Sequence, residues 1–227
     1  MATISTDRYI YPPRPNTSIP REEAGYFQEL GWVAQLKYNG SRTVIKHLPT
    51  GKIELWNRHA ERFRTYHAQD WLLDQIKQAL EAFELAPDQY HILDGELIDQ
   101  KHTAVKDTVA IWDIIVRNGE HLLDTTYESR YSSLYNRVST QETWTFRGND
   151  FGIKLAENVI FARNFVGKEW DRAWDTVGRT NELFGDKPLL EGVVLKDLSG
   201  RLERGFKEKN NGAWQIRSRV KTGRSLF

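Results

Sequence analysis

The chain has 227 residues, 39% of them hydrophobic and 28% charged, so it can bury one substantial core. It contains no cysteine, which excludes disulfides and thiolate metal sites. No apolar run is long enough to span a membrane, and the N-terminus has no apolar signal core. We therefore expect a cytoplasmic protein that does not enter a membrane. The net charge of +1 does not by itself indicate a polyanionic partner.

Residues 1–16 are rich in proline, and residues 11–15 cannot form a regular helix. We expect this segment to lie extended over the surface. Ser18, with a proline and two acids after it, predicts the start of a helix that runs to Leu30.

Short strands and helices follow one another along the rest of the chain. The periodicity predicts strands over 32–38, 42–47, 53–57, 90–98, 109–116, 159–162, 192–197 and 213–221. Helices are predicted over 70–83, 127–138 and 168–184. Strands in hairpin order with helices between the groups are typical of an α+β fold with mostly antiparallel sheets. There is no repeat and no interdomain linker, so we expect one domain over residues 1–227.

The stretch Lys37-Tyr38-Asn39-Gly40-Ser41-Arg42 combines a lysine, a turn and an arginine. Lys37 ends a predicted strand, and Gly40 permits the turn that follows. A lysine held partly out of water beside other cations exposes its amine lone pair for attack. The stretch alone is equally typical of a surface lysine beside a hairpin turn.

Three carboxylates interrupt predicted strands that are otherwise apolar. Asp94 and Glu96 flank Gly95, and Glu191 precedes Gly192. Burial of carboxylates is costly unless they meet cations or a metal, and the glycines would let a ligand approach the backbone. The alternative is that each is a strand-end acid paired with an arginine.

The charge is concentrated near the C-terminus. Residues 201–224 hold eight Lys or Arg and two Glu, a net +6, whereas the rest of the chain carries −5. Within this region Arg217, Arg219 and Lys221 alternate with apolar residues, as in a strand with one buried and one basic face. A rigid row of cations suits phosphates, whereas the alternative is a solvated basic tail.

In this order the motifs resemble those of the covalent nucleotidyltransferases, the superfamily of ATP-dependent DNA ligases, RNA ligases and mRNA capping enzymes. The family motif K-x-D-G-x-R resembles residues 37–42, and a degenerate form of S-R-N-G follows at 57–60. D-G-E-L matches residues 94–97, and the aromatic-Asp-Ile motif resembles 112–114. E-G-V-V-x-K matches residues 191–196, and the final basic strand resembles 214–221. The resemblance covers residues 35 to 221. It implies a nucleotidyltransferase (adenylation) domain whose nucleotide pocket lies between the sheets.

The resemblance implies that Lys37 attacks the α-phosphate of ATP and becomes lysyl-AMP, with Mg²⁺ neutralising the phosphates. AMP then passes to a 5′-phosphate, and a 3′-hydroxyl displaces it to seal a nick. The wording of the motifs favours an ATP-dependent DNA ligase acting on nicked duplex DNA. An RNA ligase using the same mechanism is the alternative, and a nucleic-acid-binding pseudoenzyme is the alternative of another class.

Each matched residue takes an expected role from the family. Arg42 holds the ribose or the nucleic-acid 5′-phosphate, and Glu96 holds the ribose hydroxyl or a metal. Glu191 holds a metal near the α-phosphate, which Lys196 also contacts from the same strand. Lys37 and Lys196 are thus catalytic candidates, and Glu96 and Glu191 are the metal candidates.

The remaining nucleotide contacts leave alternatives open. Trp112 stacks on the adenine or is an ordinary core tryptophan. Gln35 reads the adenine edge or is a partly exposed strand glutamine, and Leu36 lies beside the nucleotide. Arg58 contacts a phosphate.

The register of the final basic motif is ambiguous. We prefer Arg217 with Arg219 as the phosphate-binding pair, although Arg219 with Lys221 also places two cations on one face. An arginine does not readily give up a proton, so any acid role falls to Lys221 or Lys196. Contacts to nucleic acid are expected from Arg42, Arg58, Arg204, Lys207, Lys209 and Arg219.

Two features depart from the family pattern. Asn39 replaces the aspartate of the first motif, as it does in several RNA ligases. The chain also ends soon after the basic strand, without room for the OB-fold domain of most DNA ligases. A shortened chain, a partner chain or domain, or a minimal ligase would each account for this. We expect a monomer.

Overall fold

A computed structural model describes residues 11–98, 105–184, 188–203 and 212–220. The predicted site residues Arg204, Lys207, Lys209 and Lys221, and residues 1–10 of the N-terminal segment, lie outside this part of the chain. No helix of the described residues is both long and apolar enough to cross a membrane.

The described chain contains four α-helices and thirteen strands. The helices are α1 (Ala24–Glu29), α2 (Asp70–Ala82), α3 (Tyr127–Val138) and α4 (Trp170–Glu182). The strands are β1 (Thr17–Ile19), β2 (Val33–Tyr38), β3 (Ser41–His47), β4 (Ile53–Asn57), β5 (His91–Ile98), β6 (Thr108–Arg117), β7 (Glu120–His121), β8 (Thr143–Phe146), β9 (Asn149–Ala156), β10 (Val159–Phe161), β11 (Asn164–Phe165), β12 (Leu190–Lys196) and β13 (Gln215–Arg219).

The strands form two sheets. The smaller has the order β1-β13-β12-β2-β11, and the larger runs β4-β3-β5-β6-β10-β9-β8 with β7 paired to β6. Only the pairs β1–β13 and β6–β10 are parallel among the described strands. The predicted α+β class with mostly antiparallel sheets is therefore confirmed.

The helices pack their apolar faces against the sheets, and α4 contacts strands of both. The apolar stripe of α4, which includes Trp170, Trp174 and Val177, packs with the smaller sheet. The buried residues of α2 and α3 join a second cluster with the larger sheet, where Phe83 contacts Phe161 edge to face. The motif that starts at Lys37 runs from the last residues of β2 into β3, so it joins the two sheets rather than closing a hairpin.

The N-terminal segment differs from the expectation. Ser18 lies in β1, where it pairs with Arg217 of β13, and the α-helix begins only at Ala24. The preceding residues are not helical, as predicted, but Pro12 and Pro13 are buried instead of lying over the surface. In β1 the backbone N–H and C=O groups find hydrogen-bond partners in β13, so this segment does not need a helix to satisfy them.

The hairpin of β8 and β9 was not predicted. Its turn is Arg147-Gly148, and both residues have positive φ, 48° and 79°. Two-residue turns of this kind usually contain Asn-Gly or Asp-Gly. Because Arg147 stands in the first position, the sequence does not show the usual pattern of a hairpin turn. The last strand is also shorter than predicted, ending at Arg219, and α4 begins at Trp170.

Gly192 of β12 has a φ of 133°, and a Cβ at this position would overlap the carbonyl oxygen of Ser218 on β13. We predict that Gly192→Ala lowers the free energy of unfolding by about 2–4 kcal/mol because β12 and β13 must separate. Denaturant unfolding measures this change. The control is Gly178→Ala, at an exposed position of α4, where a Cβ meets no atom within 4 Å and should raise the free energy of unfolding by about 0.5–1 kcal/mol. Equal effects of the two variants would contradict this account of Gly192.

Candidate active site

A cleft of about 1040 Å³ lies between the two sheets. Its walls contain the described residues that the sequence predicted to bind the cofactor, namely Gln35, Leu36, Lys37, Arg42, Arg58, Glu96, Trp112, Glu191, Lys196 and Arg217. Arg219 lines it as well. The fold thus brings together residues from both halves of the sequence, while their individual roles stay predictions.

The lining of the cleft is rich in cations. It contains the eight basic residues Arg14, Lys37, Arg42, Arg58, Arg64, Lys196, Arg217 and Arg219. The carboxylates are Glu61, Glu96 and Glu191. Walls with one predominant sign of charge concentrate oppositely charged ligands, so the cleft suits a polyanion.

Lys37 meets acids rather than the neighbouring cations that the sequence suggested. Its Nζ lies 2.5 Å from Oε2 of Glu191, and the two side chains are 21% and 25% exposed. The charge of Lys37 also acts to lower the pKa of Glu96. Glu191 therefore lies within hydrogen-bond distance of the amine that would act as the nucleophile.

A β-bulge turns Glu191 into the cleft. Side chains of a regular strand alternate between faces, and Val194 and Lys196 already occupy the cleft face of β12. Glu191 would point to the opposite face, but the pairing with β2 skips between Leu190 and Gly192. The irregular backbone at Gly192 therefore adds a carboxylate to the cleft face.

A second bulge presents Trp112. Asp94 pairs with Asp113, and Gly95 pairs with Ile111, so Trp112 is an extra residue on β6. Its indole Nε1 donates a hydrogen bond of 2.6 Å to Asp94, and its half-buried ring lines the cleft. Trp112 therefore forms part of the cleft wall, unlike a fully buried core tryptophan, and its ring lies near Arg42 and Lys196.

Arg42 is bound to the protein on two sides. Its guanidinium donates to both oxygens of Asp94, and Nη2 also donates a 2.7 Å hydrogen bond to the carbonyl of Pro13. Asp94 is therefore a strand acid paired with an arginine, as the alternative reading proposed. Burial raises the pKa of Asp94, whereas Arg42 and the hydrogen bond from Trp112 oppose the rise.

Burial raises the pKa of Glu96 to about 7, and the charge of Glu191 contributes to the rise. Lys37, Arg42 and a 3.1 Å hydrogen bond from the Gly40 amide act in the opposite direction. Two carboxylates that repel each other across a cleft fit one divalent cation, which would favour both ionised forms. No group of three or more candidate metal ligands occurs in the described residues, so Mg²⁺ here would depend on substrate oxygens as well.

Lys196 lies at the base of the cleft and is only 3% exposed. Burial lowers its pKa to about 7, although Asp113 and Asp94 oppose this change. Its Nζ donates a 2.6 Å hydrogen bond to Oε1 of Gln35. Gln35 is 2% exposed, so the reading of a partly exposed strand glutamine is wrong.

The basic motif on β13 places Arg217 and Arg219 two residues apart on the cleft wall. Nη2 of Arg219 lies 3.2 Å from Glu191, and the side chain is half exposed. The buried Nε of Arg217 has no hydrogen-bond partner among residues 11–98, 105–184, 188–203 and 212–220. An unsatisfied cationic donor in a cleft wall fits an anionic ligand. Arg58 is exposed at the rim, where it bonds to His59.

Sequence reasoning missed Arg14 and Asn16, which line the cleft from the N-terminal segment. The parallel pairing of β1 with β13 brings this segment to the site. No local motif marks such a contact, since it joins distant parts of the chain. Arg64 and Gln215 were missed as well, although the alternation of β13 could have indicated Gln215.

No family model and no curated protein matches the sequence. Among solved structures, the ligase domain of M. tuberculosis LigD is similar with a TM-score of 0.55 and 16% identity over 94% of this chain and 60% of that one. A mycobacterial DNA ligase D complexed with ATP and MES is similar with a TM-score of 0.53 and 15% identity, over 95% of this chain and 62% of that one. The ATP-dependent DNA ligase of bacteriophage T7, complexed with ATP, is similar with a TM-score of 0.53 and 13% identity, over 91% of this chain and 68% of that one.

These likenesses show the fold. The chain has the fold of these ligase structures, which agrees with the fold expected from the sequence motifs. It spans about 60% of the length of the two mycobacterial ligase chains.

The raised pKa of Glu96 predicts a pH-dependent stability. Between about pH 4.5 and pH 7 the folded protein keeps a proton that the unfolded chain loses, so the free energy of unfolding falls as pH rises. We predict that Glu96→Gln removes about 1–3 kcal/mol of this fall. Denaturant unfolding across this pH range measures it, with the exposed Glu157→Gln as the control. If Glu96→Gln leaves the dependence of the unfolding free energy on pH unchanged, Glu96 is not the group responsible for it.

Proposed function

We propose that this chain is an ATP-dependent nucleotidyltransferase and, within that class, a DNA ligase that seals nicks through a lysyl-AMP intermediate. The observation that carries the proposal is the ion pair of Lys37 with Glu191 inside a cationic cleft of a ligase-like fold. A lysine beside one carboxylate, in a cleft that also contains Glu96 and several arginines, has the groups that attack on a phosphate needs.

In the first step, the neutral amine of Lys37 attacks the α-phosphorus of ATP. An N–P bond forms, the bond to the β-phosphate oxygen breaks, and pyrophosphate leaves with the electron pair. Glu191 is the group positioned to take the proton from Nζ. Bound Mg²⁺, held by Glu96 and Glu191 with phosphate oxygens, would supply charge neutralisation.

The chain's own cations would orient the nucleotide. Arg217 and Arg219 lie on the wall beside Glu191, where they can donate to phosphate oxygens in a fixed direction. Lys196 offers a further donor from the base of the cleft, and the indole of Trp112 offers a surface for the base. Fixed positioning of this kind provides most of the rate enhancement in phosphoryl transfer.

In the second step, an oxygen of the 5′-phosphate of a nick attacks the phosphorus of AMP, and the N–P bond to Lys37 breaks and restores the amine. In the third step, the 3′-hydroxyl loses its proton and attacks the 5′-phosphate, and AMP leaves with the electron pair. Arg58 at the rim is placed to contact the nucleic-acid backbone. We further propose one nucleotidyltransferase domain that acts as a monomer, with any clamp around the duplex coming from a partner chain or domain.

An RNA ligase is the second candidate, and Asn39 is the observation that favours it. The side-chain amide of Asn39 donates a 2.7 Å hydrogen bond to the carbonyl of Pro188, and its backbone amide donates to Leu189. Aspartate could not donate the first bond, because an ionised carboxylate only accepts. The departure from the DNA-ligase pattern is therefore built into the local structure.

Incubation with α-labelled ATP and Mg²⁺ tests the first step. We expect the full chain to take up covalent label that acid releases and alkali does not, as for a phosphoramidate. Lys37→Ala should lower uptake by at least about 1000-fold because the nucleophile is gone. Lys154→Ala, on the exposed side of β9, is the matched control. Undiminished labelling of the Lys37 variant would overturn the assignment.

Sealing of pre-adenylated nicks, which needs no ATP, separates the substrates. We expect nicked duplex DNA to be joined faster than nicked or single-stranded RNA, with rates that fall as salt rises because phosphate contacts release counterions. Gel assays of the three substrates at 50 and 200 mM salt measure both effects. Equal or faster joining of RNA ends would replace DNA ligase by the second candidate.

A further inference from the structure

Four polar side chains form a hydrogen-bonded network at the base of the cleft: the buried Gln35, Tyr127 and Lys196 and the half-buried Asn164. Tyr127 is the first residue of α3, and Asn164 pairs with Gln35 where β11 meets β2. The Tyr127 hydroxyl lies 3.3 Å from Nζ of Lys196 and 3.0 Å from Oδ1 of Asn164. Neither Tyr127 nor Asn164 belongs to a motif that the sequence singled out.

The hydrogen bonds of this network run in one direction. Nε2 of Gln35 donates to the carbonyl of Ala162 and to Oδ1 of Asn164, at 3.1 and 3.2 Å. The amide is therefore oriented with Oε1 toward Lys196, which donates to it. Tyr127 gives its single proton to Asn164, so its oxygen faces Lys196 as an acceptor.

Lys196 thus meets two acceptors and must donate to both. An ammonium has three N–H bonds, so two satisfy Gln35 and Tyr127 and the third remains for a ligand. A neutral amine would use both of its N–H bonds on the network and would turn a lone pair to the cleft. Such a lone pair would repel an anionic substrate.

Opposing charges leave the protonation of Lys196 finely balanced. Burial has the largest effect and favours the neutral form, as do Arg42 and Arg130. Asp113 and Asp94 favour the ammonium, and the rings of Tyr127 and Trp112 lie 4.5 and 5.8 Å from Nζ. Loss of one hydrogen-bond acceptor would shift this balance further toward the neutral amine.

We propose that Tyr127 and Asn164 are positioning residues that keep Lys196 an ammonium with one N–H directed to an anionic group in the cleft. The identity of that anion as a nucleotide phosphate rests on the proposed function. The order of the hydrogen bonds does not, because it follows from the contacts among the four side chains.

The direct test is the titration of Lys196 in protein with ¹⁵N-labelled lysine. The Nζ signal is assigned by its loss in Lys196→Met. In Tyr127→Phe, which keeps the ring and removes the hydroxyl, we expect the pKa of Lys196 to fall by about one unit, a tenfold change in protonation. Tyr135→Phe, which removes a hydroxyl from the same helix outside the network, should leave it unchanged.

A second variant guards against misfolding of the first. Asn164→Ala frees the proton of Tyr127 to turn toward Lys196, so it should lower the same pKa. A Lys196 titration that is unchanged in the folded variants would overturn the proposal, as would an equal shift in Tyr135→Phe.

Activity supplies an independent measurement, the pH profile of covalent labelling with ATP. Tyr127→Phe should lose about tenfold at pH 8 and recover toward wild-type labelling at pH 6, because acid restores the ammonium. A merely structural role would lower labelling equally at every pH and would count against the proposal. Absence of labelling in the wild type would refute the proposed function, whereas the titration would still decide the role of Tyr127.

Discussion

The cleft depends on how closely the two sheets approach where the chain crosses from one to the other. Between Tyr38 and Ser41 the backbone leaves β2 and enters β3, and a Cβ on Gly40 would overlap the backbone carbonyl of Leu97. Glycine permits this approach because it has no side chain. Lys37 and Arg42 are only five residues apart in the sequence, yet they lie on opposite walls of the cleft, one on each sheet.

Regular strands alone would not furnish the cleft, because their alternation sends every second side chain away. The bulges at Gly192 and Trp112 add a carboxylate and an indole to walls that already carry cations. Bulges cost local pairing, so they persist where the redirected side chain contributes something that the regular ladder cannot. In this protein both deviations converge on one volume.

The sequence predicted much of the site because the motifs are short and each one falls on a single strand. Helix α3 was predicted over 127–138 and has those bounds, since Thr126 caps it and its apolar residues recur at helical spacing. The sequence could not indicate Arg14, whose place depends on the parallel pairing of β1 with β13. It also could not indicate the network under Lys196, because that joins four separate elements. Contacts of this kind are properties of the folded chain.

The hydrogen bond from Asn39 to the carbonyl of Pro188 has a consequence for how this sequence can change. The acceptor is a backbone atom, so no side-chain substitution at position 188 can make room for aspartate at position 39. An ionised aspartate at position 39 would place a carboxylate oxygen against this carbonyl, so the chain around residue 188 would have to move. The side chain at position 39 and the backbone path at position 188 are therefore energetically coupled, so the effect of changing one depends on the other.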